Sequence, residues 1–334
     1  MIALNKVLII VCVLFFALVL PLAAQDEDPA AESWQVEEAA KFGTGALEDA
    51  EDVFPYTEFK LSPDGASIAV RAGDNIEIWN IVDESLTTTI EDPLSSFAWS
   101  PDSSQIATSL LETDIYIWDA TTGEQLIHNE GYLLNSVRTR SIEWFNDTSI
   151  MTGSFGYELW DPTTEADPVL VRCHPMGEKL LWSPDQRYVA TMGSESTIIW
   201  ICNTDFTPIR YVEGYRTVVW HPDVFRIATV GIYNTLRIWD LETGEVLSTA
   251  SGGENNIRQI DWYEDSTRLV TGHTNGEIQL WERQTHDQLE MRLSTTIPNL
   301  SDVKWFGNQL ITTSSAGLIQ LWNIIIPEPV EENS

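Results

Sequence analysis

The five histidines are the first residues to test for chemistry, because imidazole is a common metal ligand and general base in proteins. They stand at positions 128, 174, 221, 273 and 286, and no two have the short spacing of a metal site. The chain also contains no Gly-x-Ser-x-Gly elbow, no P-loop and no glycine-rich dinucleotide fingerprint. We therefore expect no catalytic residue, no metal site and no cofactor, and we interpret each histidine as a surface loop residue.

Two carboxylates support an alternative interpretation. Glu143 and Asp261 each stand one residue before a tryptophan, in segments with strand character. A pair of carboxyl groups with separated pKa values can carry hydrolysis or elimination, so an exported hydrolase or lyase is one alternative to a binding protein. A structural component of the cell surface is another.

Composition excludes several partners. The chain has 334 residues, with 51 acidic side chains against 18 Lys plus Arg and a formal charge of -33. Affinity for phosphate depends mainly on Lys and Arg, so this excess argues against nucleic acid and against an anionic membrane surface as partners. The three cysteines are too few for a disulfide-rich scaffold.

The first residues have the layout of a secretory signal peptide. Lys6 precedes the apolar run 7–20, and Pro21 to Ala24 follow it as the region of a small-residue cleavage site. We expect cleavage after Ala24, so that 1–24 is a signal peptide and the mature chain is exported to the periplasm, the cell surface or the medium without membrane insertion. An uncleaved anchor is the alternative. Residues 25–41 are acidic, and we expect a largely disordered leader.

Tryptophan reveals an internal repeat. Seven tryptophans end short strand-like segments at intervals of 39, 42, 40, 39, 42 and 41 residues: Trp79, Trp118, Trp160, Trp200, Trp239, Trp281 and Trp322. A second series lies between them: Trp99, Trp144, Trp182, Trp220, Trp262 and Trp305. Three residues after each member of the second series comes Asp or Asn, often after Pro, which is turn chemistry, and another apolar strand follows.

Each unit of about 40 residues therefore predicts four antiparallel strands. A single sheet of this kind cannot bury both of its apolar faces, whereas seven sheets around an axis bury all of them. We predict an all-β, seven-bladed propeller over residues 42–326, present as a monomer, with an acidic tail at 327–334.

The Trp-Asp pairs at strand ends (Trp118-Asp119, Trp160-Asp161, Trp239-Asp240) and the Ser-Pro-Asp turns resemble the WD-repeat family. The resemblance runs from about Glu58 to Asn323 and implies a propeller that binds partners rather than catalyses. The Gly-His pair of that family is absent here, and the turn Asp is mostly replaced. We therefore expect the strand-end tryptophans to act mainly as apolar wedges rather than as hydrogen donors.

In a propeller, the loops from the fourth to the first strand and from the second to the third strand share one face, which we name the top. We expect cations at the entry to the innermost strands of four consecutive blades, with aromatic residues in the neighbouring top loops. Arg and Tyr are typical of binding hot spots, so this face is predicted to hold a protein or an anionic glycan or peptide. The predicted contact residues are Tyr132, Arg140, Phe155, Lys179, Tyr215, Arg216, Tyr233, Arg258 and His273.

Three further expectations concern the interior. Cys173 and Cys202 are expected at opposite faces of neighbouring blades, and therefore as free thiols. Lys60 precedes Leu61, which takes the second-series position in the first repeat, and Asp261 and Lys304 precede Trp262 and Trp305. Their charges are therefore expected to meet in the channel. Blade 7 lacks a fourth strand after Asn323, because Pro327 and Pro329 interrupt the few remaining residues. We expect residues 42–49 to supply that strand and Trp34 to cover the outside of blade 7.

Overall fold

The structure is a computed structural model of the 334-residue chain. It describes residues 34–46, 56–91, 96–109, 114–129, 141–153, 157–164, 169–171, 179–192, 197–214, 217–223, 225–284 and 288–327. Within these ranges the helical segments are two short 3-10 turns, Thr44–Ala46 and Ile232–Asn234. Neither is long enough to cross a membrane.

Twenty-eight strands form seven four-stranded antiparallel sheets, which we number as blades 1 to 7. Their first strands are β2 (Tyr56–Leu61), β6 (Ser96–Trp99), β10 (Ser141–Asn146), β14 (Lys179–Trp182), β18 (Val218–Trp220), β22 (Ile257–Trp262) and β26 (Leu300–Phe306). The second strands are β3 (Ser67–Ala72), β7 (Gln105–Ser109), β11 (Ser149–Gly153), β15 (Tyr188–Met192), β19 (Arg226–Gly231), β23 (Arg268–His273) and β27 (Gln309–Ser314).

The third strands are β4 (Asn75–Asn80), β8 (Ile115–Asp119), β12 (Tyr157–Trp160), β16 (Ile198–Asn203), β20 (Thr235–Asp240), β24 (Glu277–Arg283) and β28 (Ile319–Ile325). The fourth strands are β5 (Ser85–Glu91), β9 (Gln125–Asn129), β13 (Val169–Val171), β17 (Pro208–Glu213), β21 (Val246–Ser251), β25 (Leu289–Thr296) and, for blade 7, β1 (Gln35–Phe42). The predicted all-β fold of seven blades is confirmed.

The Ser-Pro-Asp segments form the turns between first and second strands on the bottom face, opposite the top. In blade 1 the Ser62 hydroxyl donates to Asp64 at 2.6 Å, and the Asp64 carboxylate accepts the Ala66 amide at 3.0 Å. These hydrogen bonds stabilise the ionised form and lower the pKa of Asp64. Blade 2 repeats the arrangement with Ser100 and Asp102. The turn sequence thus fixes each first hairpin locally.

The core is divided among the interfaces between blades. The described apolar residues form seven clusters, and each cluster combines residues of two neighbouring blades. Between blades 1 and 2, for example, fully buried Ile76 packs with Phe97 and Ile106. Since no cluster belongs to a single blade, the blades depend on one another for their stability, as the repeat predicted.

The strand-end tryptophans are hydrogen donors, so the expectation that they act mainly as apolar wedges is wrong. In five blades the indole Nε1 donates to a threonine on the second strand at 2.8–3.1 Å: Trp118 to Thr108, Trp160 to Thr152, Trp239 to Thr229, Trp281 to Thr271 and Trp322 to Thr312. Trp79 donates instead to Glu77 at 2.9 Å. A buried N–H without an acceptor would be costly, and the threonine hydroxyl removes that cost.

The ring closes through a strand that precedes blade 1, as the sequence predicted, but with different bounds. Strand β1 covers Gln35–Phe42, not 42–49, and pairs with β28 from Gln35 opposite Ile325 to Phe42 opposite Ile319. Residues 35–41, expected in a disordered leader, therefore form most of this strand. Trp34 is 7% exposed and packs with Tyr263 and Trp305 between blades 6 and 7. It fills an interface rather than covering the outside of blade 7.

Cys202 is disulfide-bonded, which corrects the expectation of free thiols. Its side chain is fully buried and packs with Met151 of blade 3 and Leu180 of blade 4. The prediction failed because it considered only the ends of the strands, whereas the β16 side chain points sideways into the neighbouring blade. The partner cysteine lies outside the described residues.

Candidate functional site: the top face and the channel

The chain enters and leaves the propeller at the bottom face. Strand β1 is a fourth strand and runs from bottom to top, so Trp34 lies at the bottom. Strand β28 is a third strand and runs the other way, so Ile325 also lies at the bottom. The top face therefore carries neither end of the described fold.

Three predicted contact residues are exposed on or near the top face. Lys179 begins β14, Arg258 is the second residue of β22, and Tyr233 lies in the turn between β19 and β20. Neither cation forms an ion pair within the described residues. The structure leaves Tyr132, Arg140, Phe155, Tyr215 and Arg216 outside the described residues, so their placement stays a prediction.

His273 is not a surface residue, and its predicted contact role is wrong. The side chain is 2% exposed, with Nε2 3.0 Å from Thr271 Oγ1 and Nδ1 3.0 Å from the Asn255 carbonyl oxygen. Thr271 in turn accepts the Trp281 indole N–H. His273 thus ends a buried chain of hydrogen bonds in blade 6. His221 is buried as well, so the surface interpretation of the histidines fails at both positions.

The turn around Tyr233 has a built anchor that the sequence analysis missed. Asn234 Oδ1 accepts the Ile257 amide at 2.7 Å, and Asn234 Nδ2 donates to the carbonyl oxygens of Asn255 and Gly253. These bonds connect the turn of blade 5 to the loop that enters blade 6. Tyr233 projects from the anchored turn and is 94% exposed. A Tyr-Asn pair where other repeats have Gly was the available signal.

Charges line one side of the channel. The Lys60 Nζ atom lies 2.6 Å from Glu143 Oε1, which joins blade 1 to blade 3. Burial would lower the pKa of Lys60, but the Glu143 carboxylate, assisted by Glu58, outweighs burial and raises it. Lys60 therefore finds its carboxylate in blade 3 rather than in blades 6 and 7, where the sequence placed it.

A second group of charges joins blades 6 and 7. Burial raises the pKa of Asp261 and of Asp302 to about 6, and the Lys304 ammonium opposes both shifts. Asp261 Oδ2 also accepts the Trp305 amide at 2.9 Å. Lys304 lies 5.4 Å from the centre of the Phe59 ring. Lys304 thus acts electrostatically on Asp261, but the two form no ion pair within 4 Å, so the predicted pairing is not confirmed. Asp302 is a member of this group that the sequence analysis missed.

The two carboxylates of the enzyme alternative serve different partners. Glu143 pairs with Lys60, and Asp261 holds the backbone of the neighbouring blade. Within the described residues, no group of three or more His, Cys, Asp or Glu is placed to hold a metal ion. The described channel thus places each of these charges in a contact between blades.

A family model described as "WD domain, G-beta repeat" matches residues 84–119 and 244–282. Each match spans the last strand of one blade and the first three strands of the next. These offset segments reproduce the period that the tryptophans marked.

Curated relatives and solved structures agree with this repeat. A B-type cell cycle switch protein, ccs52A, of Medicago truncatula is 21% identical over 80% of this chain and 59% of its own length. Cell division cycle 20.1, a cofactor of the APC complex in Arabidopsis thaliana, is 20% identical over 64% of this chain and 51% of its own length. The chain thus spans little more than half of either relative.

The crystal structure of a mitotic checkpoint complex contains a chain that matches 95% of this one and 99% of itself, with a TM-score of 0.70 and 18% identity. At that identity the likeness concerns the fold alone.

Proposed function

The chain belongs to the WD-repeat family, and from this premise we propose that it is an exported, non-catalytic scaffold that binds an anionic protein partner through its top face. The observation that carries the proposal is that two cations of the top face form no ion pair within the described structure. Lys179 and Arg258 are exposed and unpaired within the described structure, in a chain with 51 acidic residues that could have paired them. Exposed Arg beside exposed Tyr is the composition of protein-binding hot spots.

The relatives support a protein partner as the class. One is named as a cofactor of the APC complex, and one matched structure is an assembly of several proteins. These partners belong to those proteins. What carries over to this chain is the use of a propeller as a surface for protein contacts.

The position of the chain ends supports the top face. Strands β1 and β28 place both ends of the described fold at the bottom face, so a partner at the top face meets neither end.

Two features support export. The first is the signal-peptide layout of 1–24, which lies outside the described residues. The second is the buried disulfide of Cys202, since disulfides persist in oxidising compartments and are rare in the cytosol. Expression of the full chain with a reporter enzyme fused after Ser334 tests this directly, because activity confined to the cell interior would contradict export.

Within the described residues, the two carboxylates of the enzyme alternative are engaged in contacts between blades. A hydrolase built on Glu143 and Asp261 needs both carboxylates at one substrate, whereas each already has its own partner within the protein. The proposed absence of catalysis rests on this assignment.

Salt dependence tests the proposed function. Once a binding protein has been isolated from envelope or secreted fractions, its Kd is measured at 50 and 500 mM salt with the purified full chain. We expect weaker binding at high salt, since charges separated by more than about 8 Å are screened at physiological ionic strength. The double variant Lys179→Glu/Arg258→Glu should weaken binding at least tenfold. Arg187→Glu, which reverses a charge on the exposed bottom turn of blade 4, is the matched control. Equal loss in both variants would overturn the assignment to the top face.

A further inference from the structure

The turn between β19 and β20 presents apolar side chains to solvent where the comparable turns do not. Tyr233 is 94% exposed and Ile232 is 44% exposed, and we name this pair the blade 5 hook. The structure describes three other turns between second and third strands, in blades 1, 6 and 7. Their connecting residues are Gly73-Asp74, Thr274-Asn275-Gly276 and Ser315-Ala316-Gly317-Leu318. Among the four described turns, the hook alone places an aromatic residue at its tip.

The backbone of the hook is unfavourable for its own residues. Tyr233 has φ 63° and ψ 27°, and Asn234 has φ 60°, so two consecutive residues other than glycine occupy the left-handed region. The turns of blades 1, 6 and 7 place glycine there instead, with φ of 62°, 84° and 70° at Gly73, Gly276 and Gly317. Asn tolerates this conformation, whereas a bulky residue such as Tyr does not adopt it without cost. A strained residue that packs against nothing is typical of a functional position.

The hook is nevertheless held firmly. The three hydrogen bonds of Asn234, together with the Gly252 amide that donates to the Asn234 carbonyl oxygen at 2.9 Å, fix the turn to the loop entering blade 6. The backbone of Tyr233, and with it the direction of its Cα–Cβ bond, is therefore fixed before any partner arrives. Such preorganisation lowers the entropy lost on binding.

From this geometry we propose that the hook is the anchor of the partner-binding surface, and that it inserts into an apolar pocket of a folded protein whose rim carries a carboxylate. The proposal rests on the proposed function and names the partner class for that face. Tyr233 is 94% exposed, so an apolar pocket of a folded protein can enclose its ring and bury much more apolar area than a sugar stacked on one face. The carboxylate follows from Arg258, which is exposed and unpaired within the described residues and comes directly after the Ile257 amide that Asn234 binds.

Site-specific photocrosslinking tests the anchor. A benzophenone amino acid is placed at position 233 in the full chain expressed in its own cells, and position 275 in the turn of blade 6 is the matched control. We expect one dominant adduct at 233, mapped by mass spectrometry to an apolar pocket of a folded domain with a neighbouring Asp or Glu. Adducts at 275 without any at 233 would overturn the hook while leaving top-face binding intact. The absence of adducts at both positions would contradict the proposed function as well.

The captured protein then serves as the probe for affinity. Tyr233→Asn should raise its Kd at least tenfold, as expected for the aromatic centre of an interface. Asn275→Ala in the control turn should leave the Kd unchanged. An unchanged Kd for Tyr233→Asn would overturn the anchor even if the crosslink had formed.

Thermal unfolding separates binding from folding. Because Asn adopts the left-handed conformation more readily than Tyr, Tyr233→Asn should melt at the same temperature as the wild-type chain or higher. The reciprocal change Gly276→Tyr in blade 6 should lower the melting temperature, since Gly276 has φ 84° and a Cβ atom there would lie 2.6 Å from the Ile297 carbonyl oxygen. A clear loss of stability in Tyr233→Asn would show that Tyr233 serves the fold and would overturn the proposal.

Discussion

The layers between blades and the central channel differ in how their buried polar groups are compensated. Between blades, the strand-end indoles donate to threonine hydroxyls, and the surrounding side chains are apolar and fully buried. In the channel, Asp261 and Asp302 lose much of their hydration and share one ammonium, that of Lys304. The layers therefore stabilise the ring, whereas the charges of Asp261 and Asp302 reduce that stability at neutral pH.

The same contrast appears in the tryptophans themselves. The second-series indoles of Trp99 and Trp220 donate to the backbone of the preceding blade at 2.9 Å. Four others, Trp144, Trp182, Trp262 and Trp305, have a buried Nε1 with no acceptor within the described structure. Among the described tryptophans, indole N–H groups without an acceptor thus occur in the second series, at the ends of the first strands.

Removal of the closing strand should have the largest effect, because it opens two layers at once. A chain that starts at Phe54 lacks β1 and with it the buried Trp34 and Phe42, which are 7% and 5% exposed. Burial of one such side chain contributes roughly 2–3 kcal/mol, so the loss amounts to several kcal/mol. We expect calorimetry to show a much lower melting temperature than for a chain that starts at Ser33. Equal melting temperatures would mean that the closing strand is dispensable.

Removal of a single threonine hydroxyl should cause the next largest loss of stability. Thr108→Val leaves the Trp118 indole N–H without its acceptor at 2.9 Å, which costs about 1–3 kcal/mol. The neighbouring Ser109→Ala is the matched control, because the buried Ser109 hydroxyl has no partner within the described residues. Urea unfolding should show a clear loss for the first variant and none for the second. If both lose stability equally, packing rather than the hydrogen bond explains the threonine.

Neutralising a channel acid should stabilise the protein, but only at neutral pH. Burial raises the pKa of Asp302 to about 6 from the ordinary value of 3.8, so the folded state binds its proton more tightly than the unfolded state. The stability that this proton contributes is present at low pH and is lost as the pH rises towards and through 6. Asp302→Asn should therefore gain about 1–2 kcal/mol at pH 7.5 and nearly nothing at pH 4. A loss at pH 7.5 would show that the Lys304 ammonium compensates the carboxylate fully.

The smallest effect on stability is expected from the Lys60–Glu143 ion pair, in which each charge already has a partner of opposite sign. Lys60 and Glu143 are 2.6 Å apart, with side chains 21% and 31% exposed. A double-mutant cycle with Lys60→Met and Glu143→Gln should give a coupling energy of about 1 kcal/mol or less, decreasing with salt. A coupling of several kcal/mol would place this pair among the main stabilising contacts and end the contrast between channel and layers.

Local chemistry made most of the fold predictable. The tryptophan period and the Ser-Pro-Asp turns act within a few residues, so they fixed the number of blades and the first hairpin of each blade. The need for a closing strand before blade 1 was also predictable, since Pro327 lacks the N–H that a further strand requires. The bounds of this strand were not predictable. Charged residues such as Glu38 and Lys41 are typical of a solvated leader, and they form a strand here because β28 pairs with them.

The repeat, the blade count, the turns and the excess of acid follow from residue type and spacing along the chain. Packing in three dimensions instead determines that Lys60 contacts Glu143, that Cys202 is cross-linked, that His273 is buried and that Tyr233 is exposed. These outcomes depend on which side chains of different blades face one another across the ring. That facing is set by the stacking of the sheets and cannot be read along one strand.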